Sequence, residues 1–151
     1  MKRFDFPLEK VRQWRHEQAG LEEMKLQRLF GELREIEERR RRVEDELAEA
    51  SRQIRGQAVP NAVDLVNLDS FRLYTATQVL QIGAIQEQCQ VQVDQQRQQL
   101  VDARRRYELL DRLKQKALAE WRAQRDKEEE ELAAELFLAK RRRELQISES
   151  R

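Results

Sequence analysis

Apolar residues recur at alternating steps of three and four through most of the chain, and this spacing constrains the fold more than any other feature. It places the apolar side chains on one stripe of an α-helix, with the seven-residue repeat of a coiled-coil seam. In the first half of the chain the stripe consists of Leu26, Leu29, Leu33, Ile36, Arg40, Val43, Leu47, Ala50 and Ile54. The pattern predicts a long helix that packs along another helix.

A second stripe with the same spacing follows and extends much further. Its members are Leu65, Leu68, Arg72, Thr75, Val79, Ile82, Gln86, Cys89, Val93, Gln96, Leu100, Ala103, Tyr107, Leu110, Lys114, Ala117 and Trp121. Beyond residue 121 the frame passes into glutamates, so we expect the seam to end there. Arg40, Gln86, Gln96 and Lys114 are poor core residues, and we expect them to pair, to snorkel or to fix the register.

One concentrated break separates the two stripes, between Gly56 and Asn61. Gly56 can adopt the left-handed conformation that ends a helix, and Pro60 cannot continue a helix interior. Asn61 can cap the helix that follows. The sequence therefore predicts an all-α fold, in which residues 1–151 form a single antiparallel coiled-coil hairpin. Its first helix spans about 7–55, its turn about 56–61 and its second helix about 62–146.

The two predicted helices differ greatly in length, at roughly 70 Å and roughly 120 Å. Folded back at the turn, the first can cover the second only to about residue 117, so the second helix should overhang. By this length argument the overhang would leave Trp121 without an intramolecular partner, and the large Trp14 and Trp121 side chains either cap the open end of the hairpin or anchor another protein. It would also expose a late apolar patch formed by Leu132, Leu136, Phe137 and Leu138.

Several apolar residues lie outside the seam, and a two-helix hairpin has no third layer to bury them. In the second helix they are Leu73, Leu80, Ile85, Leu109, Leu113 and Leu118. In the first half of the first helix, an apolar face in a different register is formed by Phe4, Leu8, Val11, Trp14, Leu21 and Met24. Phe71 and Tyr74 lie beside the seam near the turn, where an aromatic residue suits a partner contact.

Composition argues against several functional classes. Charged residues make up 39% of the chain, yet the net charge is only +1, which disfavours a nucleic-acid binder. The single histidine, His16, lies among charged residues, and the single cysteine, Cys89, lies on the seam. One histidine and one cysteine are too few for a metal site, and no glycine-rich loop could cradle a phosphate. We therefore expect a protein that is not an enzyme, binds no cofactor and resides in the cytoplasm.

Two segments of the chain carry distinctive motifs. One is the opening, in which Phe4, Phe6, Leu8 and Val11 precede Trp14-Arg15. The other is the run from Arg106 to Lys116, which a charged helix with Trp121 follows. These segments resemble the family of the bacterial flagellar export protein FliJ, and the length and the hairpin layout match that family over essentially the whole chain.

The resemblance implies a component of the flagellar type III export apparatus that acts as a stalk. Its expected partners are the export ATPase hexamer, the export-gate membrane protein and export chaperones, with a position peripheral to the membrane. The tip facing the ATPase would carry Phe4, Phe6, Trp121, Leu132, Leu136 and Phe137, and the surface facing the gate would carry Phe71 and Tyr74. A virulence-type secretion relative, or a generic coiled-coil scaffold or holdase chaperone, remains an alternative.

Overall fold

The computed structural model describes residues 2–150, and 91% of it is helical. Helix α1 spans Glu9–Arg55 and helix α2 spans Ala62–Glu149. The two helices pack against each other, and no strand occurs within the described residues. The prediction of an all-α helical hairpin with a longer second helix is confirmed.

Helix α1 begins at Glu9, two residues later than the sequence suggested. Pro7 and Leu8 form a turn in which the Glu9 amide donates to the Phe6 carbonyl at 3.1 Å. The Leu8 carbonyl then accepts the first helical hydrogen bond, from the Arg12 amide at 2.8 Å. Residues 2–6 are therefore not helical, and each of them covers more length than a helical residue would.

The break between the helices lies where the sequence placed it, but Gly56 does not behave as expected. No glycine of residues 2–150 has a positive φ, so the expectation of a left-handed Gly56 is wrong. The Gly56 amide instead donates to the Arg52 carbonyl at 2.9 Å, which continues the helical pattern by one residue. Asn61 caps α2 as predicted, because its side-chain oxygen accepts from the Val63 amide at 3.2 Å.

The chain divides into two compact units. The first, which we call the terminal unit, contains residues up to 16 together with those from 105 onward. The second, the central unit, contains residues 17–104. Each unit holds a part of α1 and a part of α2.

In the central unit, Leu26, Val93 and Leu100 form a buried cluster with Leu29 and Phe30 packed against it. The side chains of Ile82 and Val93 are almost completely buried. The seven buried residues of α2 all lie on the predicted stripe: Leu68, Thr75, Ile82, Cys89, Val93, Gln96 and Leu100. Leu65, which the stripe also included, is 47% exposed because α1 has ended opposite it.

Cross-helix hydrogen bonds in the central unit show the direction of packing. Arg40 bonds to Gln86, the Leu29 carbonyl faces the Cys89 thiol, and Glu22 bonds to Gln96. Residue numbers fall along α1 as they rise along α2, so the helices are antiparallel. These contacts also show that the α1 seam continues through Glu22 and the buried Ala19.

Candidate partner-binding surfaces

The packed end of the terminal unit is built around Trp121. The Phe4 ring meets the indole edge-on with centroids 5.9 Å apart, and the indole N–H donates to the Lys2 carbonyl at 3.2 Å. The Arg125 guanidinium lies 5.5 Å from the indole centroid. The expectation that Trp121 lacks an intramolecular partner is wrong, because the non-helical residues 2–6 extend further along α2 than a helix would.

A polar cluster lies beside this aromatic contact and consists of Glu9, Arg12, Tyr107, Asp111 and Lys114. Arg12 bonds to Asp111 at 2.9–3.0 Å and donates to the Tyr107 hydroxyl at 3.1 Å. Lys114 and Glu9 form an ion pair at 2.9 Å. The cluster joins the start of α1 to α2. Two of its members, Tyr107 and Lys114, lie at positions of the predicted second stripe.

Charge in the polar cluster is balanced, and the pKa values reflect this. The hydrogen bond from Lys114 is the main cause that lowers the pKa of Glu9 from 4.5, with further lowering by Arg12. The hydrogen bond to Asp111 is the main cause that raises the pKa of Arg12. Every charged member of the cluster has an opposite charge in contact, so the cluster is suited to holding the helices together rather than to proton transfer.

Beyond Arg125, which forms ion pairs with Asp126 and Glu129 of its own helix, α2 continues as an exposed helix. Every residue from 126 to 150 is exposed, and we call this segment the C-terminal arm. Six of its large apolar residues are each more than half exposed: Leu132, Leu136, Phe137, Leu138, Leu145 and Ile147. An acidic run, Glu128 to Glu131, precedes them, and a basic run, Lys140 to Arg143, lies among them.

The six residues predicted for the ATPase-facing tip fall into two groups in this unit. Phe4 and Trp121 are half-buried against each other, and Phe6 is buried with 8% exposure. Leu132, Leu136 and Phe137 stand on the arm with 61–64% exposure. Only the second group offers a large apolar surface that the protein itself does not cover.

Phe71 and Tyr74, the residues predicted to face the export gate, lie together on α2 in the central unit. Their rings stack with centroids 6.5 Å apart and planes 21° apart. Phe71 is half-buried beside the seam, whereas Tyr74 is 62% exposed. The Tyr74 ring is therefore exposed to solvent, and the half-buried Phe71 ring stacks against it.

Three polar seam residues of the central unit, Arg40, Gln86 and Gln96, take part in hydrogen bonds between the helices. The Gln96 amide donates to the Glu22 carbonyl at 3.0 Å and also to the Glu22 carboxylate. The Arg40 guanidinium donates to the Gln86 side-chain oxygen at 3.4 Å. Because each polar layer fits only its own partner, the layers fix the register of the two helices.

One further apolar surface lies outside the predicted seam. Val66, Leu73, Leu80 and Val91 are 54–76% exposed on the side of α2 that faces away from α1 in the central unit. The sequence shows that Leu73 and Leu80 lie off the seam, but the seam pattern alone does not show that they share a spacing with the two valines. A search for a second stripe of period three and four in the same helix would have found it.

The structure offers little for catalysis. Burial is the main cause that raises the pKa of the Cys89 thiol, whose sulfur lies 3.8 Å from the Leu29 carbonyl, so it packs as a small apolar group. His16 is exposed and lies against the Tyr107 ring at 4.9 Å. Within residues 2–150, no group of three or more histidine, cysteine or acidic residues is placed to hold a metal ion.

In the part of the chain that the structure describes, neither helix contains a segment apolar and long enough to cross a bilayer.

The described residues form a two-helix hairpin with exposed apolar surfaces and paired polar seam layers, which places the protein in the class of coiled-coil hairpins. Comparison with known families narrows the class. The family model of the flagellar FliJ protein matches residues 4–149, nearly the whole chain. The chain belongs to this family, and it is therefore a flagellar export-related protein. No curated protein and no solved structure matches the chain.

Proposed function

We propose that the protein is a non-catalytic component of the flagellar type III export apparatus and acts as a stalk-like rod. In this role it binds the export ATPase hexamer, couples the ring to the export-gate membrane protein and contacts export chaperones. It would work in the cytoplasm, peripheral to the membrane. The family that matches the chain is the flagellar one, which favours this role over that of a virulence-type relative.

The C-terminal arm carries the proposal. It is a continuous helix in which all residues from 126 to 150 are exposed, although an isolated helix in water gains little from propensity alone. Its large apolar side chains are each more than half exposed. Such a surface is typical of a segment that completes its packing against another protein.

The energetics fit a reversible contact. Burial of one large apolar side chain contributes roughly 1.5–3 kcal/mol. Three such side chains, Leu132, Leu136 and Phe137, would together supply roughly 4.5–9 kcal/mol before the cost of association. Weak, reversible binding therefore requires polar contacts in addition. The acidic and basic runs of the arm would supply those contacts, and they would make binding sensitive to salt.

Phe71 and Tyr74 are the proposed contact with the export gate. A half-buried aromatic ring that supports an exposed one resembles the rigid anchors that dominate many interfaces. The pair lies in the central unit and the arm in the terminal unit, so the two contacts use different residues and can be tested separately.

Removal of the arm tests the proposed function. The cut belongs after Arg125 rather than earlier, because Trp121 and Arg125 contribute to the packed end of the terminal unit. The shortened protein should keep its melting temperature within a few degrees and lose binding to the purified export ATPase, together with any stimulation of hydrolysis. Full stimulation by the shortened protein would contradict the role of the arm.

A matched pair of variants separates a specific contact from general stickiness. Leu132→Ser with Leu136→Ser removes two exposed apolar side chains from the arm. Leu109→Ser with Leu113→Ser removes two others, 61% and 51% exposed, from the same helix and the same unit. Only the first pair should weaken ATPase binding. Equal loss in both pairs would indicate non-specific apolar adhesion instead.

The exposed apolar residues also favour a second candidate, a holdase chaperone that shields unfolded export substrates. Suppression of aggregation of an unrelated denatured protein would support this candidate. A protein that stimulates the ATPase but leaves such aggregation unchanged would support the stalk.

A further inference from the structure

A second seam-like stripe runs along α2 in the central unit, and we call it the outer stripe. Its members follow alternating steps of four and three and are all exposed: Val66, Ser70, Leu73, Thr77, Leu80, Ala84, Glu87 and Val91. Leu73 and Leu80 are 73% and 76% exposed, among the most exposed large apolar residues of the chain. A shallow surface groove lies at its end, lined by Ala84, Glu87 and Val91 among others.

The outer stripe belongs to a segment that is unusually poor in charge. Between Arg72 and Asp94 the only charged residue is Glu87, although 39% of the whole chain is charged. Charged residues normally keep a solvated coiled-coil flank in water. Their absence over this segment indicates that this side of α2 is covered by something apolar.

The outer stripe and the seam point to nearly opposite sides of α2. Successive residues of a helix are separated by about 100°, so Leu80 and the buried Ile82, two residues apart, face in nearly opposite directions. A helix could therefore dock on the outer stripe without displacing α1. The docked helix would meet a surface with coiled-coil spacing, which is the surface that another helix fits best.

We propose that the outer stripe packs against the outer stripe of a second copy of this chain, with the two α2 helices antiparallel. This inference is independent of the proposed export function. It rests on the self-complementarity of the stripe. When the outer stripes of two copies are aligned in opposite directions, the facing side chains fit each other.

Large residues of the stripe meet small ones when the two-fold axis lies between residues 78 and 79. In that register Leu73 faces Ala84 of the second copy, and Leu80 faces Thr77 of the second copy. Val66 then faces Val91 of the second copy. Alternation of large and small side chains across facing positions is what dense helix packing requires.

The one charged residue of the stripe is also accommodated by this register. Glu87 faces Ser70 of the second copy, whose hydroxyl can donate a hydrogen bond to the carboxylate. A parallel pair would instead place Glu87 against Glu87, with like charges in contact, and each leucine against itself. The sequence of the stripe thus favours the antiparallel pair over the parallel one.

The size of the contact indicates a weak dimer. From Val66 to Val91 the stripe is about 39 Å long. With a helix about 10 Å wide, the two copies would bury on the order of 800–1,000 Å² in total, which is near the lower limit of specific interfaces. Association in the micromolar range is expected.

Sedimentation velocity over a range of concentrations tests the dimer. The average mass should rise from 18.2 kDa towards twice that value. Leu80→Lys should weaken association at least tenfold with unchanged helicity. The matched control is Ile85→Lys, which changes a residue of similar size that is 45% exposed and lies off the stripe, and it should associate like the wild type. Equal effects of both variants would overturn the proposal.

Disulfide formation between mixed variants tests the register. In a Cys89→Ala background, chains with Leu73→Cys and chains with Ala84→Cys should cross-link only when they are mixed. Alone, each cysteine would lie about 16 Å from its copy in the antiparallel pair. Cross-linking of either variant with itself would overturn the register. A chain that stays monomeric at several hundred micromolar would overturn the second copy as occupant and leave the stripe to a helix of another protein.

Discussion

Replacement of Gln96 by alanine should destabilise the hairpin by an amount that depends on pH. Gln96 is 8% exposed, and its amide donates to the backbone carbonyl and the carboxylate of Glu22. A hydrogen bond to a charged group contributes about 1.5–3 kcal/mol. Without Gln96, the Glu22 carboxylate would still be 17% exposed and would keep its ion pair with Lys25 at 3.3 Å. The loss in the free energy of unfolding should therefore lie near the lower end of this range, at about 2 kcal/mol.

The pH dependence follows from the carboxylate. The hydrogen bond from Gln96 is the main cause that lowers the pKa of Glu22 from 4.5, with Lys25 adding to it. Because the pKa is lower in the folded state, the stabilisation is fully present above pH 4.5 and is lost as the pH falls through the folded value. The difference between wild type and Gln96→Ala should therefore shrink in acid.

Urea unfolding followed by circular dichroism, at pH 7 and again below the folded pKa of Glu22, measures both effects. At neutral pH a loss of about 2 kcal/mol corresponds to a melting temperature roughly 4–8 °C lower for a chain of this size. Gln92→Ala, at an exposed glutamine of the same helix, should change little. An equal free-energy loss at both pH values would refute the role assigned to the carboxylate.

Three further outcomes are expected. Leu100→Asp would bury an unpaired charge at a residue with 5% exposure, so the melting temperature of the variant should fall steeply; wild-type melting would show that the assigned seam is wrong. Phe4→Ala removes the edge-on contact with Trp121 and should red-shift the tryptophan emission and speed proteolysis near the N-terminus, whereas unchanged emission and cleavage would contradict the packing. Phe71→Ala and Tyr74→Ala should each weaken binding to the export gate at unchanged helicity, and unaltered binding in both variants would remove this site.

The seam of the central unit could be predicted from the sequence because apolar spacing identified it directly. Leu26, Val93 and Leu100 are buried as the stripe indicates. The part of the α1 seam that precedes Leu26 could not be predicted in the same way. There the seam runs through Glu22, whose place in the core depends on Gln96 of the other helix, while the apolar Leu21 and Met24 are 49% and 68% exposed.

The packing of Trp121 could not be predicted from helix lengths, for a different reason. Helix lengths predict where α1 stops covering α2. Residues 2–6 are not helical, however, and a non-helical residue spans a greater length along α2 than a helical one. The partner residues on the arm and at Phe71 remain predictions, because a sequence can show which side chains lack a place in the hairpin but not which protein covers them.

The cross-helix contacts suggest an order of folding. Their sequence separations increase steadily with distance from the turn: 46 residues between Arg40 and Gln86, 60 between Leu29 and Cys89, and 74 between Glu22 and Gln96. They reach 119 between Lys2 and Trp121. Contacts next to the turn close the shortest loops, and each one shortens the loop that the next must close, so the hairpin should zip from its turn outward. The residues synthesised first would then be the last to find their partners, and the nascent chain would carry the beginning of α1 unpaired until most of α2 had left the ribosome.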